Sequence, residues 1–212
     1  MGLVRPPLIE LRQYVVAPGK RDRLIELFAT QFVAAQNALG LPILGYFTVP
    51  TDPDRLVWLR GFDSMQTRPD RLGAFYGGPV WAQFGPETIS LVSEYGNVQL
   101  LREAFPGSGI AFPRDTGADR LIAVTYSLRA PPHEAFAAAR QALSALPEGH
   151  LIGTYITAPT PNNFPALPIR EGEHLFTWFA RWPAGPHPTI KEDDFAPFLA
   201  TPPERLVLLP PT

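Results

Sequence analysis

Leu8–Val16 (LIELRQYVV) alternates: Ile9, Leu11 and Val15 fall on one face and Glu10, Arg12 and Tyr14 on the other. A period of two predicts a strand with one apolar face. Ala17-Pro18-Gly19 ends it, and the period then changes. Over residues 21–40, Leu24, Phe28, Phe32, Ala35 and Leu39 recur at three- and four-residue spacing, with Ile25 and Leu27 widening the stripe. That predicts an amphipathic helix stopped at Gly40. Residues 42–50 (PILGYFTVP) and 55–62 (RLVWLRGF) predict two strands, and the turn residues Thr51-Asp52-Pro53-Asp54 between them make a hairpin. Either Asp63 or Ser64 caps a helical segment that Pro69 interrupts, or Pro69 stands in the first turn of a helix carrying Leu72 and Phe75; Gly77-Gly78-Pro79 ends it. Residues 80–84 add a single turn, residues 88–95 fit either period, and residues 97–103 (NVQLLRE) predict a fourth strand.

The order β-α-β-β-α-β is the ferredoxin-like arrangement. Residues 105–118 (FPGSGIAFPRDTGA) have no periodicity and read as a linker, and then the order repeats. Residues 120–128 predict a strand, 132–146 an Ala-rich helix, 151–159 and 173–182 two strands about a proline-rich loop, 191–200 a short helix with an acidic start, and 206–209 a closing strand. Matching Ala17-Pro18 to Ala130-Pro131 sets Ile9, Leu11 and Val15 over Ile122, Val124 and Leu128. Further matches set Tyr46 over Tyr155, Trp58 over Trp178 and Phe62 over Trp182. The chain reads as a duplication: a unit at 1–104, a linker at 105–118 and a divergent second unit at 119–212.

A ferredoxin-like sheet has helices on one face only, so its other face needs a cover. Two units cover each other when packed sheet to sheet as an α/β barrel. The expected fold class is therefore α+β, two tandem ferredoxin-like units forming a barrel with helices outside. The mixed face of each strand would line the interior: Glu10, Arg12, Tyr14, Tyr46, Trp58, Arg60 and Phe62 from one unit, and Thr125, Ser127, Tyr155, His174, Trp178 and Trp182 from the other. Aromatic walls with a few polar groups are the composition of a small-molecule cavity.

Composition narrows the chemistry. With 45% hydrophobic and 18% charged residues over 212 positions, the chain can bury a core and is not of disordered type. A net charge of −2 supplies no field for nucleic acid. The absence of cysteine excludes disulfides, thiolate metal sites, iron–sulfur clusters and thiol nucleophiles. No apolar run reaches the length of a membrane span. With no leader pattern either, a cytoplasmic protein with neither a nucleic acid nor a membrane as partner is expected. Phosphate-binding glycine patterns and a nucleophile elbow are missing.

Glu10, Arg12 and Arg60 share one strand parity. They serve either as an anion-orienting or acid–base group in a cavity or as a buried ion pair that fixes strand register. Tyr14, Tyr46, Trp58 and Trp178 are a wall for a flat ligand or filler between sheets. None of His133, His150, His174 and His187 stands at metal-ligand spacing, so no metal site is expected. His174, at the start of a strand, is the best imidazole for proton transfer, with haem ligation as its other role.

ELRQYVVAPGK, LGYFTVPTDPDRLVWLRGF, FYGGPVW and NVQLLR resemble the NIPSNAP family of the dimeric α/β-barrel superfamily. The resemblance covers residues from about Leu8 to Arg102, most specifically Gly45–Phe62 and Pro79-Val80-Trp81. The second half lacks the Glu-Leu-Arg-x-Tyr strand and the Pro-Val-Trp turn. It implies the tandem barrel. The wider superfamily includes cofactor-free monooxygenases, isomerases, cyclases and haem enzymes, so it selects no reaction. The expected function is binding of a small hydrophobic or aromatic molecule in the barrel interior. No cofactor is needed for the oxygenation, isomerisation or dehydration that such a site could perform. Arg12 and Arg60 would orient an oxyanion, Tyr14 and His174 would handle protons, and Glu10, Tyr46, Trp58, Tyr155 and Trp178 would contact the ligand. The alternative is a non-enzymatic adaptor that docks through residues 160–172 and 206–212. Homodimer formation through remaining sheet edges is open in either case.

Overall fold

A computed structural model describes residues 5–111, 120–132, 135–182 and 195–211. The strands are β1 Leu8–Val16, β2 Ile43–Val49, β3 Asp52–Phe62, β4 Val92–Glu103, β5 Arg120–Leu128, β6 Leu151–Thr157, β7 His174–Trp182 and β8 Glu204–Leu208. The helices are α1 Arg21–Leu27, α2 Val33–Ala38, α3 Arg68–Tyr76, α4 Pro79–Leu91 and α5 Ala135–Leu143. A π-helical turn at Phe28–Phe32 joins α1 to α2, so the expected first helix is one run with a wider central turn. The single turn expected at 80–84 is a 13-residue helix. It starts at Pro79, whose fixed φ suits a first turn, and it absorbs residues 88–91 of the ambiguous stretch. Of the expected helix at 191–200, Lys191–Asp194 lie outside the described residues and Ala196–Phe198 form a 3-10 turn.

The eight strands form one sheet in the order β2-β3-β1-β4-β6-β7-β5-β8. Each half repeats the same internal order, second-third-first-fourth, and every pairing is antiparallel. The two outer strands meet at Thr48 and Leu209, which exchange backbone hydrogen bonds of 2.9 and 3.0 Å. The sheet is therefore closed into a barrel. One buried cluster draws on all eight strands: Ile9, Leu11, Leu44, Phe47, Val49, Val57, Leu59, Leu101, Leu121, Ala123, Tyr155, Leu175, Phe179, Leu206 and Leu208. Side chains from every stave touch only if they point inward, so this cluster is the barrel interior.

In β1 and β3 the interior is thus lined by the aliphatic parity, the reverse of the expectation, whereas Thr125 and Tyr155 of the second half lie inside. Glu10, Arg12, Tyr14, Trp58, Arg60 and Phe62 point outward, beneath α1, α2, α3 and α4, where Tyr14, Trp58 and Phe62 join Leu24, Phe28, Phe32, Leu72 and Phe75. Trp178 points outward on the other half, packed with Tyr126, Phe176, Ala139 of α5 and Phe195. The two tryptophans occupy separate cores and do not meet in a central chamber. The physical reason is that both faces of these strands are covered, one by the opposite wall of the barrel and one by helices. Polarity then no longer marks the face turned inward.

Polar contacts in the barrel join the halves. Gln13 donates to both carboxylate oxygens of Glu204 at 3.0 and 3.1 Å and accepts from Arg55 Nη1 at 2.9 Å. The Thr125 and Thr177 hydroxyls, 3.0 Å apart, each lie 3.5 Å from Gln99 Oε1 of the first half. Of the expected linker, residues 105–111 are described, and Ile110 packs into the barrel.

Strand register also corrects the repeat by one residue. Ile9 faces Gly61 and Arg12 faces Trp58, while Leu121 faces Arg181 and Val124 faces Trp178. With Trp58 equivalent to Trp178, Ile9 matches Leu121, Arg12 matches Val124 and Tyr14 matches Tyr126. Likewise Gly45 pairs with Leu59 and Gly153 with Phe179 at matching bulges. Phe47 therefore matches Tyr155, and Tyr46 matches Thr154. A one-residue slip exchanges faces. Accordingly Tyr155 lies inside the barrel, and Tyr46 lies outside against Phe28 at 6.0 Å.

Candidate functional site

Adjacent strands lie about 4.8 Å apart, so outward residues on β1 and β3 are within reach of one another. Register places Glu10 opposite Arg60 and Arg12 opposite Trp58. The helices add two partners. Arg68 occupies the apolar stripe of α3 one turn before Leu72, and Gln36 continues the Phe28–Phe32 stripe into α2. All of Glu10, Arg12, Arg60 and Arg68 are 0% exposed.

Glu10 is the centre of this cluster. Its Oε2 accepts from Arg12 Nη1 at 2.8 Å and from Arg60 Nη2 and Nε at 2.6 and 3.2 Å. Its Oε1 accepts from Arg68 Nη2 and Nε at 2.6 and 3.1 Å. Arg60 Nη1 donates to Gln36 Oε1 at 3.0 Å and to the Tyr76 hydroxyl at 3.4 Å. The guanidinium carbons of Arg12 and Arg60 stand 5.2 and 5.1 Å from the Trp58 ring. Burial alone would raise the Glu10 carboxyl, but the charges of Arg60, Arg12 and Arg68 outweigh it and hold the group well below the usual carboxylate range. Burial opposes the charge on Arg12 and Arg60, yet Tyr14 and Glu10 beside Arg12, and Glu10 and Tyr76 beside Arg60, outweigh it and keep both guanidiniums charged. Three guanidiniums against one carboxylate leave two buried positive charges in excess.

Arg12 carries the unspent part of that excess. Its Nε donates to the Tyr14 hydroxyl at 3.1 Å, and its Nη2 is buried with no hydrogen-bond partner among the described residues. Arg12, Tyr14 and Tyr76 line a cavity of about 320 Å³, walled by Trp81, Thr88, Ile89, Val92, Tyr95, Phe164, Ala166 and Leu167. Tyr14 and Tyr76 each accept from an arginine, so each phenolic proton is left to be donated elsewhere. Burial, the largest influence, pushes the Tyr14 phenol up against the pull of Arg12, so it stays protonated. Arg12, Tyr14 and Tyr76 are therefore the donor-bearing part of the lining of an otherwise largely apolar, aromatic cavity. Ile89 and Tyr95, 61% and 50% exposed, stand at its rim. Among the described residues lining it there is no carboxylate or imidazole.

The structure brings together Glu10, Arg12, Tyr14, Trp58 and Arg60 and leaves the remaining candidates elsewhere. Tyr46 packs against Phe28 on the same side. Tyr155 accepts the Ile110 N–H at 2.7 Å inside the barrel, and Trp178 donates to Tyr126 at 3.4 Å in the second core. His174 lines a different cavity of about 490 Å³ with Arg102, Thr157, Arg170 and Glu173. His133 and His187 lie outside the described residues. Arg68, Gln36 and Tyr76 escaped the sequence reading, although a charged or amide side chain on a helix's apolar stripe is itself a signal for the first two. Residues 206–208, a docking surface in the adaptor alternative, belong to β8, with Leu206 and Leu208 inside the barrel. No group of three or more His, Asp or Glu poised to hold a metal is found among the described residues, and no helix there is long and apolar enough to cross a membrane.

Residues 9–103 match the family model for NIPSNAP, which bears out the resemblance over that part of the chain. A NIPSNAP family protein from Agrobacterium tumefaciens is 25% identical over 45% of this chain and 83% of its own, with a TM-score of 0.41. A proposed monooxygenase from Lactobacillus acidophilus aligns over 96% of this chain and 93% of its own, with a TM-score of 0.60 and 9% identity. An anthrone oxidase-like protein aligns over 98% and 94%, with a TM-score of 0.57 and 10% identity. The last two share the fold over the whole chain. No curated protein matches the chain.

Proposed function

We propose that the protein binds a small aromatic or hydrophobic molecule bearing an oxyanion or an enolisable carbonyl, seated over Arg12, Tyr14 and Tyr76. One observation carries this reading: the second half holds the same positions without the charges. Register matches Glu10 to Ile122, Arg12 to Val124 and Arg60 to Ala180, while the tyrosine and tryptophan are kept as Tyr126 and Trp178. Aliphatic residues satisfy the fold at these places, so the fold does not require the ions. Buried ion pairs are often no better for stability than well-packed apolar side chains. The charges of the first half therefore have another use, and the unpaired Arg12 N–H beside a cavity supports ligand binding.

The chemistry follows from the donors. An N–H from a buried cation and two phenolic hydroxyls, fixed before the ligand arrives, stabilise negative charge on an oxygen far more than water would. Such a hole favours an enolate or phenolate, the species through which cofactor-independent oxygenation, isomerisation and dehydration proceed. Glu10, committed to three arginines and held ionised, orders the cations and does not shuttle protons. Tyr14 and Tyr76 are the groups that exchange a proton with the ligand oxygen. The whole-chain likeness to the proposed monooxygenase and the anthrone oxidase-like protein is compatible with this class.

The test is a thermal-shift and calorimetric screen of aromatic carboxylates, phenols and enolisable ketones on the wild type and on Arg12→Lys. Stabilisation of the wild type by one of these classes, weakened in the variant, is the expected result. A screen in which no class binds, or in which both proteins respond equally, overturns the proposal.

A further inference from the structure

The hairpin loops of the two halves differ sharply. β2 and β3 are joined by Pro50-Thr51, whereas β6 and β7 are joined by residues 158–173. That long loop contains Pro159, Pro161, Pro165 and Pro168, each of which fixes φ and limits the chain's freedom. It does not hang over its own half. Arg68 Nη1 of α3 donates to Asn162 Oδ1 at 3.1 Å and to Asn163 Oδ1 at 2.9 Å, and Asn163 Nδ2 donates to the Met65 carbonyl at 2.6 Å. Internal bonds keep its shape: Asn162 Nδ2 donates to the Leu167 carbonyl at 2.8 Å and the Phe164 N–H to Asn162 Oδ1 at 3.1 Å. At its far end the Arg170 N–H donates to the Val98 carbonyl at 2.8 Å.

The consequence is a wall built by one half for the site of the other. Phe164, Ala166 and Leu167 line the cavity over Arg12, and the Phe164 ring lies 6.3 Å from Tyr76 at an interplanar angle of 28°. Tyr76 and Phe164 thus offer two nearly parallel aromatic surfaces beside a donor hydroxyl. Resting on the proposed anion site, we propose that Phe164 is a specificity-determining residue that selects ligands with a flat aromatic ring. Asn162 and Asn163 are its positioning residues, and they act by latching the loop to Arg68.

The probes are 2-naphthoate and its saturated counterpart decahydro-2-naphthoate, titrated calorimetrically into the full chain. The wild type binds the flat acid more tightly. Phe164→Ala reduces that preference by about 3- to 10-fold, the worth of one aromatic pair, and Phe164→Tyr restores it. Asn162→Ala with Asn163→Ala also reduces it, because the ring loses its fixed place. Phe164→Leu, which keeps the wall filled, serves as a second variant: it loses the preference while melting with the wild type. An unchanged ratio in Phe164→Ala and Phe164→Leu, with Arg12→Lys still weakening both acids alike, overturns this inference and leaves the anion site standing. If the wild type binds neither acid, both readings fall together.

Discussion

Arg12 and Val124 occupy one and the same place in the two halves of the barrel, each directly opposite a tryptophan on the neighbouring strand. Tyr14 meets Trp58 edge-on at 5.7 Å, and Tyr126 accepts from Trp178 at 3.4 Å. The aromatic framework is duplicated, and the ions are confined to one copy. The chain therefore contains its own comparison between a strand pair built to pack and one built to hold charge.

That comparison sets a stability prediction. Glu10→Gln leaves three buried guanidiniums without their carboxylate and costs about 3–5 kcal/mol. Glu10→Ile, Arg12→Val and Arg60→Ala rebuild the apolar pattern of the second half, and combined with Arg68→Leu, which removes the remaining buried cation, they give a variant that folds with stability near or above that of the wild type while losing ligand binding. Urea denaturation of both variants checks the contrast.

Acid should act through the same carboxylate. Glu10 is held well below its ordinary range, so on acidification the unfolded chain takes up a proton before the folded one does. The stabilisation is fully present above the unfolded value of about 4.3 and is lost as the pH falls towards the depressed folded value. Melting temperature measured between neutral pH and about pH 3 should drop more steeply for the wild type than for the four-residue apolar variant.

Tyr14→Phe keeps the ring against Trp58 and removes one donor from the cavity. A hydrogen bond to a charged oxygen is worth about 1.5–3 kcal/mol. Affinity for an aromatic carboxylate should fall by that amount, and the melting temperature should fall as well, because the buried Arg12 Nε loses its acceptor. Arg12→Lys should cost binding as well, because an ammonium lacks the fork that reaches Glu10, Tyr14 and the cavity together.

The bulge glycines give a prediction about the scaffold. A Cβ on Gly45 would stand 2.4 Å from Phe47 Cζ, and one on Gly153 would stand 2.7 Å from Ile110 Cγ1. Gly45→Ala and Gly153→Ala should each destabilise by about 1–3 kcal/mol through overpacking. Gly73→Ala, on α3 with open space around its Cβ, should stabilise by about 0.5–1 kcal/mol. Thermal denaturation ranks the three.

Strand and helix positions were legible because periods of two and of three to four survive whatever covers each face. Which face turned inward was not. Ile9 and Leu11 are buried inside the barrel and Glu10 and Arg12 beneath helices, so alternation separates two interiors and not an interior from solvent. The repeat was visible in Trp58 and Trp178. Its register slipped because Ala17-Pro18 and Ala130-Pro131 lie one residue apart relative to their strands. Arg68 was hidden among 16 arginines, and Asn162 and Phe164 act across 94 and 88 positions of chain on Arg68 and Tyr76, a separation that no local pattern records.

The closed barrel gives the first strand a division of labour at single-residue resolution. Ile9, Leu11 and Gln13 face the barrel interior, and Glu10, Arg12 and Tyr14 face the proposed binding site, along one continuous stretch of backbone. Substitutions walked along it should change sign of consequence at every step. Odd positions would fail a selection for folding, whereas even ones would pass it once repacked and fail a selection for ligand. New specificities can therefore be explored on this stave without touching what keeps the staves together.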